Sequence, residues 1–271
     1  MIEALGFDFM QNAIIGGLLV SFVAGIMGAL IVVNRMVFLA GGIAHSSYGG
    51  IGMAIYFGFS IFIGAMLFSI ATAILIALLT LKNRHRVDTY IGLIWAVGMA
   101  IGVIFVDLTP GYNVDLMSYL FGSILAVSQD DIYIMFALLI VVLFVVSHWY
   151  REILSISYDS EYASLRGINT SLFYIVILSL SAMSVVVSIK VVGLILVIAI
   201  MTIPTFIAEQ ITKSLYGMMM VSGVLASIFT LLGLAISYNY DLTSGACIIL
   251  VAVSSLLLFS LAKYIKNRYL N

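Results

Sequence analysis

Residues 11–33 read QNAIIGGLLVSFVAGIMGALIVV, an unbroken stretch without a charged side chain. At 1.5 Å per residue a helix of this length reaches about 35 Å, enough to cross a hydrocarbon core of about 30 Å. A membrane β-strand would show roughly ten residues of alternating polarity instead, and this run does not alternate. The segment reads as a transmembrane helix.

The same signature repeats along the chain. Further spans are expected at Gly41–Phe57, Phe59–Leu81, Tyr90–Phe105, Ile132–Trp149, Leu172–Ile189, Val192–Ala208, Leu215–Ser237 and Gly245–Lys263. Leu116–Ala126 is too short to cross and reads as a half-helix that dips in and returns. The fold class is all-α, a polytopic helical membrane protein. It has about eight or nine spans, at about 20 residues each, plus the re-entrant half-helix and a polar cytoplasmic segment near 150–171. These elements use up residues 1–271, so one transmembrane domain is expected.

Composition agrees. Of 271 residues 64% are hydrophobic and 8% charged, the mean hydropathy is +1.25, and the net charge is −1. A soluble domain carries about 25% charged residues. A soluble enzyme, a disordered chain and a nucleic-acid binder are excluded. The single cysteine, Cys247, forbids an intrachain disulfide. Met1 to Phe9 carry Glu3 and Asp8 where a signal peptide would be basic.

Basic residues mark the cytoplasmic side. Placing Arg35 inside puts Lys82, Arg84, Arg86, Arg151, Arg166, Lys213, Lys263, Lys266 and Arg268 on the same side, and only Lys190 outside. This holds only if Leu116–Ala126 does not cross. The N-terminus then lies outside and the C-terminus in the cytoplasm.

Four stretches could carry chemistry. In Tyr150–Ser171 (YREILSISYDSEYASLRGINTS), Asp159 or Ser160 can cap a short helix whose first turn holds Glu161 and which ends at Gly167. Such a helix between spans is either a docking knob or an interfacial connector. The second span carries Gly41, Gly42, Gly49 and Gly50, read as a helix break, and with them His45, the histidine within a membrane segment. Intramembrane ionisable groups default to function, and neutral imidazole is a common metal ligand. The alternative is a histidine bonded to neighbouring backbone. In Val192–Glu209, Pro204 removes a helix hydrogen bond and Thr202 lies near the freed backbone; the kink is a gate or a packing device. The half-helix ending YLFGSILAV (119–127) presents a helix terminus or forms a lid. No GxxxxGK[ST] loop occurs, so any ATP-driven activity needs another subunit.

Taken together these stretches resemble the permease subunits of ABC importers for zinc, manganese and iron. The matching motifs are NRMVFLAGGIAHSS (34–47), Asp88-Thr89-Tyr90-Ile91-Gly92, YLFGSILAV, VGLILVIAIMTIPTFIA (192–208) and Asp241-Leu242-Thr243-Ser244-Gly245. The cytoplasmic pattern Asp159, Glu161, Ala163, Gly167 matches the family's coupling helix. One departure stands out: the family usually has Asp four residues before the histidine, where this chain has Gly41.

The resemblance implies a non-enzymatic permease of a prokaryotic cytoplasmic membrane, acting as a homodimer. An ABC ATPase subunit drives it, and an extracytoplasmic metal-binding protein supplies the metal. No cofactor is held permanently, and the cargo is a divalent Zn, Mn or Fe ion. Path candidates are His45, then Ser46, Ser47 and Thr202. The alternatives are a metal-chelate or cobalamin-like substrate, and an ATP-independent cation channel or carrier.

Overall fold

The computed structural model describes residues 6–81, 86–110, 122, 124–194 and 197–269. Eleven α-helices follow in chain order: α1 (Asp8–Val33), α2 (Val37–Phe57), α3 (Ile61–Thr80), α4 (Val87–Asp107), α5 (Gln129–His148), α6 (Tyr150–Tyr158), α7 (Ser160–Leu165), α8 (Thr170–Val192), α9 (Val197–Ile211), α10 (Leu215–Tyr240) and α11 (Ser244–Tyr269). A 3-10 turn, Ile124–Ala126, precedes α5. No strand occurs among the described residues. In lipid the backbone must satisfy its own hydrogen bonds, and helices do so locally.

Among the described residues, seven helices are long and apolar enough to cross a membrane: α1, α3, α4, α5, α8, α10 and, through Lys266, α11. The chain is a multi-pass membrane protein. The expected second and seventh spans appear as α2, 21 residues carrying His45 and its serines, and α9, only 15 residues long.

The core is centred on α1 and α8, whose residues are largely enclosed. Helices approach closely where glycine permits. A Cβ on Gly25 of α1 would lie 2.3 Å from the Gly223 nitrogen of α10, and one on Gly98 of α4 would lie 2.6 Å from the Ser46 Cα. Without a hydrophobic force between helices in lipid, such contacts supply much of the packing attraction. This corrects one expectation. The helix runs through Gly41, Gly42, Gly49 and Gly50 without interruption. Each of these glycines meets a neighbouring helix, Gly42 at Ile91 and Gly50 at Gly64 for example, so they thin the helix for contact and do not break it.

Contacts fix the relative directions. Gly42 meets Ile91 and Gly98 meets Ser46, so α2 and α4 run parallel, and Arg86 lies at the same end as Arg35. Asp107 therefore lies at the opposite end. Gly16, early in α1, meets Val127, just before α5, and Met135, early in α5. At the far end of α5, Ser157 of α6 accepts a hydrogen bond from Asn34 at 3.0 Å. The chain thus leaves α4 and starts α5 at the same end of the bundle. The expected half-helix lies mostly outside the described residues. Its described remainder is Gly122 and the turn Ile124–Ala126, with Ile124 fully buried. The Ile124 N–H donates to the Ser244 hydroxyl at 3.4 Å.

Candidate functional site

At the Arg35 end, α7 is built as local chemistry dictates. The Asp159 carboxylate accepts the Glu161 and Tyr162 N–H groups at 3.1 and 2.9 Å. Gly167, at φ +79°, closes the helix: its N–H donates to Ser164 and the Ile168 N–H to Ala163. That left-handed turn is cheap only for glycine. Ala163 is wholly buried and anchors α7, while Leu165 is 86% exposed, with Tyr158 and Tyr162 also outward. Beside α7 is a polar cavity of about 710 Å³ lined by Arg35, Ser157, Ser160, Glu209 and Lys213, among others. Nearby, Lys263 donates to Gln210.

His45 sits on α2 beside α4. Its ring stacks on Trp95 of α4 with centroids 4.2 Å apart and planes 8° from parallel. The Trp95 indole N–H donates to the Met99 sulfur at 3.1 Å. The ring of His45 is half-buried, and its Nδ1 is buried with no hydrogen-bond partner. One turn toward the Arg35 end is Gly41, where a Cβ would lie 2.2 Å from the Ile198 Cδ1. The tip of Ile198 occupies the space a side chain at 41 would need.

The other path candidates point elsewhere. Ser46 is wholly buried; it donates to the Ile43 carbonyl at 3.0 Å and meets the Thr72 hydroxyl at 3.4 Å. Ser47 donates to the Ala44 carbonyl and lines a cavity of about 560 Å³ between α3, α5 and α8. Thr202 donates to the Ile198 carbonyl at 2.8 Å, not to the carbonyl of Ile200 that Pro204 leaves without its helix partner. Pro204 lies inside α9. Since Ile198 faces Gly41 while α9 runs toward the Arg35 end and α2 away from it, Thr202 and His45 are about 12 Å apart along the bundle. Among the described residues, no group of three or more His, Cys, Asp or Glu side chains could hold a metal ion.

Two features went unread in the sequence. Trp95 stacks on the imidazole and Ile198 sits against Gly41 one turn away, and no local pattern marks either. Lys190 pairs with Asp131 at the opposite end, across 59 positions, and lies over the Phe62 ring at 5.4 Å. The one trace of this pair was Lys190 itself, the odd basic residue on the acidic side. Asp131 also completes a capping box with Ser128 at the start of α5.

A family model described as the ABC 3 transport family matches residues 6–263. The chain belongs to that family. It is 45% identical to an uncharacterized membrane protein of Synechocystis sp. over 252 residues, 93% of this chain and 90% of the relative. It is 31% identical to the manganese transport system membrane protein MntC of Listeria monocytogenes, covering 91% and 88% of the two chains. Among solved structures it matches PsaBC from Streptococcus pneumoniae in complex with Fab, with a TM-score of 0.84, 29% identity, and 95% and 93% coverage. The ABC 3 transport fold therefore spans nearly the whole chain, and it includes the candidate residues on α2, α7 and α9.

Proposed function

We propose that the chain is the permease subunit of an ATP-driven importer of divalent transition-metal ions. The observation that carries this is α7 within an ABC 3 transport chain. It is a capped helix with Leu165, Tyr158 and Tyr162 exposed beyond the apolar spans, at the end that gathers Arg35, Arg86, Lys213 and Lys263. Exposed apolar side chains outside lipid mark a surface that a partner covers, and the basic end is the cytoplasmic one. Here α7, with Asp159, Glu161, Ala163 and Gly167, docks an ATPase subunit. The C-terminus is cytoplasmic, and an extracytoplasmic protein delivers the ion to the Lys190 end. Two copies form the permease. Relatives named for manganese transport support a divalent transition-metal cargo.

In this reading α2 and α9 join the seven other apolar helices as spans, within a single transmembrane domain. His45 is the side chain that meets the ion, Ser47 lines the outer cavity, and Thr202 lies deeper toward the cytoplasm. Few ligands suit transport, because an ion held tightly does not leave. The glycines of α2 and Pro204 let these helices sit close and shift.

The test is co-purification with the partner ATPase, reading nucleotide hydrolysis. Wild type is expected to retain and stimulate the ATPase, and Leu165→Asp to lose both while keeping its melting temperature. An unchanged complex in Leu165→Asp would overturn the docking role of α7.

A further inference from the structure

The polar cavity beside α7 holds more hydrogen-bond donors than the chain uses. Three connections wall it at the Arg35 end: the turn from α1 into α2, the junction of α6 and α7, and the turn from α9 into α10. Arg35 and Lys213 are exposed in it, and neither belongs to an ion pair among the described residues. The Ser157 hydroxyl accepts from Asn34 and the Ser214 hydroxyl from the Gly217 N–H, so each keeps its own proton to donate. Against these donors stands one carboxylate, Glu209. The helix termini do not balance the two cations. Each cation lies between the C-terminus of one helix and the N-terminus of the next, where opposed dipoles offset. Neither α2 nor α10 has an acidic residue in its first turn.

Arg35 is also held in a disfavoured backbone conformation. Its N–H donates to the Val32 carbonyl and that of Met36 to the Ile31 carbonyl, both at 2.9 Å, which closes the end of α1. This closure puts residue 35 in the left-handed region, at φ +58°, where glycine is the usual residue. A non-glycine residue kept there points to a use for its side chain.

We infer that the cavity is a socket for an acidic segment of the ATPase subunit; this rests on the α7 docking reading above. Ser160, the first residue of α7, lines the cavity. A protein seated on the exposed Tyr158, Tyr162 and Leu165 therefore stands at its mouth. Carboxylates from that partner complement the guanidinium, ammonium and hydroxyl donors that the chain leaves unanswered. Arg35 directly precedes Met36, the N-cap of α2, and Lys213 directly precedes Ser214, the N-cap of α10. The socket thus gives the ATPase a grip on the turns leading into two spans, besides its grip on α7.

The experiment is the affinity of the full-length permease for its ATPase, in nanodiscs of zwitterionic lipid, at low salt and at about 1 M salt, where charges are screened within about 3 Å. Arg35→Gly and Lys213→Gln are each expected to weaken binding about threefold at low salt, the scale of an exposed ion pair, and to match wild type at high salt. Arg35→Gly should do so with an equal or higher melting temperature, because glycine fits φ +58°; a residue that served only the turn would leave binding unchanged. Glu209→Gln, which removes a like charge, is expected to tighten binding. Wild-type affinity and salt dependence in both cation variants, with Leu165→Asp still losing the ATPase, would overturn the socket alone. An effect seen only when anionic lipid is added would also overturn it, the occupant then being a headgroup. Retention of the ATPase by Leu165→Asp would instead overturn the docking reading beneath it.

Discussion

At the residue scale, the decisive contacts join positions that are distant in sequence. Asp131 and Lys190 tie the start of α5 to the end of α8. Lys190 is 37% exposed, so solvent screens the pair, and removing one partner costs about 1–2 kcal/mol. Lys190→Met and Asp131→Asn are each expected to lower the melting temperature in detergent. The double variant should fall by less than the sum of the two. Additive losses would show that the charges act independently. His45 was legible because an ionisable group inside an apolar run is conspicuous. Trp95 was not, because a tryptophan in a membrane span signals nothing until its ring is seen against the imidazole. The meaning of Gly41 was only half legible: the missing side chain is plain in the sequence, but Ile198 filling its place is a property of the packing.

At the element scale, α7 was legible because its determinants are local: a cap at Asp159 or Ser160 and a terminal glycine within nine residues, while the burial of Ala163 needed the packing. Asp159→Ala removes two accepted hydrogen bonds and should cost about 1 kcal/mol of local helix stability. The expected readout is weaker ATPase stimulation with unchanged expression, and full stimulation would contradict a capped docking helix. For α2 the sequence supplied the right residues and the wrong inference. Glycine in a soluble helix signals weakness, whereas in lipid it lets backbones touch. Gly98→Leu therefore should force α4 off Ser46, where even a Cβ would lie 2.6 Å from the Ser46 Cα. A clear drop in melting temperature is expected. A stable Gly98→Leu protein would mean that the contact carries little.

At the scale of the whole molecule, orientation follows from parity. Charge counting required Leu116–Ala126 not to cross, and the parallel α2–α4 and α1–α5 contacts put the end of α4 and the start of α5 at the same end of the bundle. What the sequence could not show is that the bundle tolerates a 15-residue helix, α9, as one of its inner members. Gly193, at φ +85°, ends α8 just before it. Ser160→Cys, in a background with the buried Cys247 replaced by serine, should react with membrane-impermeant reagents only from the cytoplasmic face. Reaction from outside would invert the topology. The most direct measurement is uptake of a divalent metal into inside-in vesicles holding the permease, its ATPase and the delivery protein. Accumulation against a gradient that needs ATP on the α7 side, and is lost with ADP or in His45→Ala, is the expected result. Metal flux that proceeds equally without nucleotide or ATPase would contradict the central claim.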